Sequence, residues 1–354
     1  MPADTTARRN SRFWLYAPFV LLAILAAGWS GLWMMARGKV EQHLDAGIAR
    51  EAAAGRNWTC RDRSIGGYPF RIELRCAGVT LVSSRWGDEV KVETGPAVAV
   101  AQATAPGHLI LQATGPLTAT LPARQNADLN WSALEASLRL TTTGFERISL
   151  VVHDPVATLR TPDETGGLRS ETLRSALFEA HLRPNQQNYA SQQAVDVALT
   201  TKGAVLPVLD ALLGDAAPSD LDVQATVLQS YAFRRGFNPD ALESWRTANG
   251  GIEITRLSLL KGTARFEASG RLGLDEAHRP AGQVDAAVAG IERVAGIRVG
   301  GLTAGLGALL GGRANAAQSN AAAGLTPLPP VVLREGRVFL GPVRLPLQPL
   351  RPLY

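Results

Sequence analysis

The sequence predicts a mainly β protein with helices. An N-terminal transmembrane helix and stalk lead into a large antiparallel β-sheet domain, a curled sheet or groove covered by short helices. Three observations predict it. A single long uncharged apolar run lies near the N-terminus. Elsewhere, short stretches alternate apolar and polar residues between Gly, Pro, Asn and Asp. The 35 Gly and 21 Pro in 354 residues suit many turns rather than a helical bundle.

The anchor comes first. No charged residue occurs from Phe13 to Ala36, a run of 24 residues. As helix it is roughly 36 Å long, enough to cross a hydrocarbon core of roughly 30 Å with some tilt. Phe13, Trp14 and Tyr16 lie near one end and Trp29 and Trp33 near the other, like the aromatic belts of two interfaces. Arg8, Arg9 and Arg12 precede the run and point to a cytoplasmic N-terminus; Arg37 and Lys39 follow it. A cleaved secretory signal is the alternative, with Ala26-Ala27-Gly28 as its site. The apolar run continues past that point through Trp33 and Met34, which favours an uncleaved anchor. The expected organisation is a cytoplasmic tail over residues 1–12, the anchor over 13–36, a stalk helix over 37–55 and an exported β-rich domain over 56–354. Val40, Leu44 and Ile48 recur at helical spacing in the stalk, and Gly55 is a natural stop.

The two cysteines, Cys60 and Cys76, stand next. Gly66-Gly67 and Pro69 mark a turn between two strand-like runs. Phe70, Ile72, Leu74 and Cys76 share one strand face, and Arg71, Glu73 and Arg75 the other. Folding a hairpin about Tyr68 sets Cys60 opposite Cys76, at a cross-strand Cα separation of about 5 Å that a disulfide can bridge. In an exported protein such a pair oxidises. Buried thiols or a redox site are the other readings, and no C-x-x-C supports the latter.

Alternation then recurs. Val90 and Val92, Val98 and Val100, Leu109 and Leu111, and Leu117 and Leu121 begin it. Leu134 to Leu140, Ile148 to Val152, Ala176 to Leu182, Val195 to Leu199 and Leu221 to Val227 continue it. One apolar face per run suggests antiparallel sheet. Short helices interrupt at Val205–Leu213, with Pro207 in the first turn, and from Pro239 through Trp245 behind an Asn238 N-cap. Ile252 to Leu259, Ala264 to Leu274 and Val284 to Val288 resume the meander.

Residues 291–312 differ. Val299, Leu302, Leu306, Leu309 and Leu310 fall on one helical stripe, too short to span a bilayer. Gly301-x-x-x-Gly305 and Gly307-x-x-x-Gly311 permit close packing. The stripe is expected either to close the open apolar sheet face as core or to act as a lid over an apolar ligand groove. Residues 313–327, rich in Ala, Asn and Gln, read as a flexible loop, followed by a last strand near Val338–Leu340 and a Pro-rich tail.

The search for chemistry is negative. The five histidines, at 43, 108, 153, 181 and 278, lack metal-ligand spacing. There is no Gly-x-Ser-x-Gly elbow and no phosphate-binding loop. No catalytic residue, metal or cofactor is predicted. The net charge of +5 is mostly local: residues 1–37 carry four Arg against one Asp, and the rest contributes +2. Basic residues are not concentrated as a nucleic-acid binder requires.

The anchor, the stalk, the Gly67-Tyr68-Pro69-Phe70-Arg71 turn and the ending Gly336-Arg337-Val338-Phe339-Leu340-Gly341-Pro342 together resemble the bacterial domain-of-unknown-function 2125 family. That family supplies no catalytic residue to carry over. Residues 250–290 are similar in style to AsmA-like envelope proteins, inner-membrane-anchored β-groove proteins implicated in lipid homeostasis. The expectation is a non-enzymatic inner-membrane protein with a periplasmic domain. Its partners are the bilayer, through residues 13–36, and a lipid, another apolar ligand or envelope proteins. A structural or scaffolding role is the alternative, and an unidentified enzyme activity a lesser one.

Overall fold

The computed structural model describes residues 13–86, 88–142, 144–163, 167–290, 293–294, 297–298, 324–345 and 347–354. The predicted anchor and stalk form one helix, α1 (Phe13–Ala53), which ends where Gly55 adopts a φ of 76°. It is the one helix among the described residues long and apolar enough to cross a membrane.

The β domain is a meander of long ribbons, each turning a corner partway along. Seven ribbons do so: β1 (Arg56–Arg61) with β2 (Ser64–Gly66), β3 (Arg71–Cys76) with β4 (Gly78–Trp86), β5 (Asp88–Thr94) with β6 (Ala97–Gln102), β7 (Ala105–Ala113) with β8 (Leu117–Leu121), β9 (Gln125–Asn130) with β10 (Ala133–Thr141), β11 (Gly144–His153) with β12 (Val156–Pro162), and β13 (Leu168–Arg174) with β14 (Leu177–Pro184). One half of each ribbon joins a seven-stranded sheet in the order β1-β4-β5-β8-β9-β12-β13. The other half joins a larger sheet, whose first seven strands run β2-β3-β6-β7-β10-β11-β14. The two sheets are one antiparallel meander folded along a crease.

Hydrogen bonding continues across the crease. The amides of Ala77, Thr114, Ser132 and Ser175 donate to the carbonyls of Arg61, Pro96, His153 and Pro155 at 2.8–3.0 Å. Pro96, Pro116 and Pro155 sit at the bend, where a missing N–H costs no ladder bond. Asp62 and Asp154, also at the bend, have φ of 50° and 48°, a conformation that short polar side chains tolerate.

Beyond the creased ribbons the larger sheet carries on alone. After α2 (Tyr189–Gln192) come β15 (Val195–Ala204), α3 (Pro207–Leu213), β16 (Ser219–Val227), α4 (Pro239–Thr247), β17 (Ile252–Lys261), β18 (Ala264–Leu274) and β19 (Pro280–Ala289). Two short strands, β20 (Arg293–Val294) and β21 (Ile297–Arg298), pair only with each other. β22 (Thr326–Pro327) and β23 (Val331–Arg334) both pair with β19, and β24 (Arg337–Leu340) and β25 (Val343–Arg344) complete the sheet. Among the described residues the larger sheet holds 16 strands, and neither sheet closes on itself.

The helices between strands are fixed by specific bonds. Asn238 caps α4 as predicted, its side chain accepting from the Ala241 amide at 2.9 Å. Trp245, buried in α4, donates to the Leu228 carbonyl at 2.6 Å. At the crease end, α3 is held by Lys261, which is only 1% exposed. Its ammonium donates to Asp210 at 2.5 Å and to the Ala217 carbonyl at 2.6 Å.

Two expectations are corrected, and a third falls mostly outside the described residues. Cys60 and Cys76 are bonded, with Cα atoms 5.3 Å apart, but they are not cross-strand neighbours of one hairpin. Cys60 lies opposite Val79 in the smaller sheet and Cys76 opposite Ala97 in the larger one, so the disulfide ties the two sheets together. The reason is the corner at Asp62, which sends β1 and β2 into different sheets. Val98 and Val100 lie on the outer face, opposite Gln112 and Ile110 respectively, while Ala97, Ala99 and Ala101 point inward; residues 95–96 at the bend shift the parity that Val90 and Val92 set. The start of the predicted 291–312 helix is the β20–β21 ladder, and Val299, Leu302, Leu306, Leu309 and Leu310 lie outside the described residues, as do residues 313–323 of the expected loop.

Two predictions follow from these bonds. The purified chain should be two hydrogens lighter than its sequence mass under non-reducing conditions, and Cys60→Ser with Cys76→Ser should cost about 3 kcal/mol in urea unfolding. Asp210→Ala strands a buried ammonium and should cost on the order of 3 kcal/mol, whereas Lys261→Met leaves a carboxylate that water can reach and should cost less. Paired denaturation curves check the order.

Candidate functional site

The inner face of the two sheets is the feature that organises the rest of the β domain. Reading the register across the larger sheet gives Leu74, Ala99, Leu111, Ala136, Leu150, Ala180, Leu199, Val223, Leu257, Ala268 and Ala286 in one line. The neighbouring line, from Ile72 through Leu109, Ile148 and Val197 to Val284, Val331 and Leu340, is as apolar and crosses thirteen strands. In the smaller sheet Cys60, Val79, Thr94, Leu117, Leu129, Ala157 and Leu173 share one face, apolar except for Thr94. The disulfide joins these two apolar faces, so they look toward each other. The face is not sealed: Leu111, on the third strand of its line, is 41% exposed.

The outer face is polar and paired with itself. His181 shares a hydrogen bond with Ser149 at 2.9 Å, and His108 with Ser137 at 2.9 Å. Asp196 accepts from Arg183, Asn185 and Thr226. His181, Asp196 and the three partners of Asp196 border a cleft that also takes in Arg147 and Gln224. Among the described residues no group of three His, Cys, Asp or Glu is placed to hold a metal ion.

The first hairpin of the larger sheet reaches α1. The β1–β2 ribbon runs back along the helix, with Arg56 paired to Glu51 at 2.5 Å and Arg63 to Asp45 at 2.6 Å. Its turn arrives at the outer part of the predicted anchor. Trp29 Nε1 donates to the Pro69 carbonyl at 2.8 Å, and Trp33 Nε1 donates to the Arg71 carbonyl at 3.0 Å. The Ser30 and Tyr68 hydroxyls are 2.8 Å apart, and the Trp33 and Tyr68 rings meet edge to face at 5.5 Å. The sequence marked these residues only as a turn and an aromatic belt.

The C-terminus forms a latch that the sequence did not announce. Tyr354 stacks on His278 with ring centroids 4.3 Å apart and donates to Glu243 of α4 at 2.7 Å. The Arg246 guanidinium beside Glu243, then the Tyr354 hydroxyl, hold the Glu243 carboxyl down at about 2. Desolvation, then the Glu243 carboxylate, push the Tyr354 phenol up.

The comparisons with known proteins add one positive result. Residues 33–348 match the model of a family described as "Uncharacterized protein conserved in bacteria (DUF2125)". No curated protein and no solved structure matches, so the looser likeness to AsmA-like proteins gains no support from a relative.

The latch makes a prediction with a definite sign. A carboxyl whose folded value is lowered contributes stability above its ordinary value of 4.5 and loses that contribution as pH falls through about 2. Carbon-13 titration of the Glu243 carboxyl should therefore give a midpoint near 2, and Tyr354→Phe should raise it. A midpoint near 4.5 would mean that neither the Arg246 pair nor the Tyr354 contact forms in solution, and no change in Tyr354→Phe would mean that the tail does not dock.

Proposed function

The chain belongs to the DUF2125 family, and we propose that it is a non-enzymatic, membrane-anchored envelope protein whose inner sheet face takes an apolar ligand, a lipid acyl chain being the class that fits. The single observation that carries this reading is the broad apolar face, which polar residues enter near the crease at Thr94, Thr201 and Lys261. A face with a leucine 41% exposed is costly to leave to water, and apolar concave surfaces are the usual form of small-molecule sites.

Inner-membrane placement rests on two further supports. Arg8, Arg9 and Arg12 precede the span, which by the positive-inside tendency puts the N-terminus in the cytoplasm and the β domain outside. A Cys60–Cys76 disulfide suits an oxidising compartment such as the periplasm. The competing reading is a scaffold in which the same face is only core. The buried Lys261–Asp210 clamp favours it, since it fixes α3 rather than letting it move.

Lipid extraction from the full chain purified in mild detergent separates the two. Lipid should co-purify and fall at least fivefold in Leu150→Asp, which alters the inner face, with circular dichroism unchanged. Ser149→Asp, on the outer face of the same strand, should keep it. Equal lipid in both variants, or none in the wild type, leaves the scaffold reading standing. For topology, an alkaline phosphatase fusion after Tyr354 should be active; activity of a cytoplasm-only reporter there would reverse the orientation.

A further inference from the structure

We propose that the hairpin tip Tyr68-Pro69-Phe70 is itself immersed in the bilayer, a second membrane contact made by the β domain beside its anchor helix. The inference rests on the reading that residues 13–36 span the membrane. If a hydrocarbon core of roughly 30 Å is centred on Phe13–Ala36, Trp29 lies about 7 Å and Trp33 about 13 Å from the midplane. The tip is bonded to these residues, so it occupies the same depth, within the leaflet on the side of the β domain.

Three features of the tip suit lipid. First, its large side chains are uncovered by protein: Phe70 is 71% exposed and Tyr68 is 54% exposed. In water that exposure would be unfavourable for two aromatic rings on one short turn; within the leaflet the same rings meet lipid instead of water. Second, its polar atoms are withdrawn. Hydrocarbon penalises every unpaired backbone group. The Pro69 carbonyl accepts from Trp29, the Phe70 carbonyl accepts from the Ala103 amide at 2.8 Å, and the Gly67 carbonyl accepts from the Arg71 amide at 3.1 Å. The Tyr68 hydroxyl pairs with Ser30, and Pro69 has no N–H to satisfy. Third, the charge begins one residue further on. The Arg71 side chain is more than half exposed, with its guanidinium 3.6 Å from Glu73, and a long basic stem there can lift its head to the phosphate level.

The turn therefore turns its rings outward while its Gly67, Pro69 and Phe70 carbonyls are bonded to protein, an arrangement that suits lipid. Its occupant is the phospholipid leaflet around the anchor, not a protein partner: the Trp29 and Trp33 side chains that seat it belong to the spanning segment.

The test uses the full chain in nanodiscs of phosphatidylcholine with a diazirine in the acyl chain. After irradiation and digestion, lipid adducts are mapped by mass spectrometry. Adducts are expected on the peptide containing residues 68–70 and on peptides of residues 13–36. None is expected on residues 168–174, where Leu168 is 64% exposed but lies in the sheet beyond the crease. Adducts on residues 13–36 alone overturn the proposal and leave the anchor intact. Adducts on neither segment mean that the anchor reading itself has failed. Adducts on residues 168–174 equal to those on 68–70 mean that labelling does not report depth and that the tip has no preferred place in lipid, which also overturns it.

Discussion

The β domain depends on one constraint: apolar side chains must stay on the inner side while each ribbon turns a corner. Side chains alternate across a strand with a period of two, so an inserted residue sends the following set to the opposite face of a flat strand. At a bend the same insertion is what keeps them together, as in a bulge. From Cys60 to Ile65, from Cys76 to Val79 and from Val152 to Ala157, the inward residues are separated by odd numbers, each across the crease. Left-handed Asp62 and Asp154 and the prolines at 96 and 155 absorb the turn. The disulfide then closes the angle at the first two ribbons, where the meander has a free edge and the fewest neighbours to hold it.

The anchor and the domain share this geometry. Helix α1 runs unbroken from Phe13 to Ala53, and the first ribbon returns along it in the opposite sense. Ion pairs at Arg56 and Arg63 fix the upper part of that return, and aromatic and carbonyl contacts fix the lower part. The change in chemistry follows the change in surroundings. Charged pairs serve where water is available to solvate their unshared lone pairs, and Trp N–H to carbonyl bonds serve beside the apolar span. The segment read as a stalk is thus a splint against which the sheet edge is laid.

Much of this was legible in the residues. The uncharged run from Phe13, the cap at Asn238 and the alternation from Leu134 to Leu140 are local signals, and the structure places helix, helix and strand there. The cysteine pair was legible as a bond, but its geometry was not. Sequence shows a turn between two runs and cannot show that each run enters a different sheet. The crease was hidden for the same reason: a Pro or an Asp with one extra residue looks like the end of a strand. Long-range partners were beyond reach. Lys261 and Asp210 are 51 positions apart, and Tyr354 and Glu243 are 111 apart. Neither pair leaves a periodic trace, because each is a single contact between elements that the sheet brings together.

The size pattern of the inner face carries the argument one step further. Strand β6 contributes only alanines inward, Ala97, Ala99 and Ala101, between Ile72 and Leu74 on one side and Leu109 and Leu111 on the other. Small residues between larger ones leave a trough along the strand, about 6.6 Å from Cα to Cα per pair of residues. A face that existed only to be core would gain from filling that line, since interiors pack to near-crystalline density and unfilled space costs stability. The trough starts at the crease beside Cys76 and ends at Gln102 and Ala103, where the Ala103 amide bonds the Phe70 carbonyl. On the proposed reading the apolar line therefore opens at the one turn that touches the membrane. An acyl chain leaving the leaflet would meet aliphatic side chains continuously from that turn inward, without crossing the charged outer face or a layer of water.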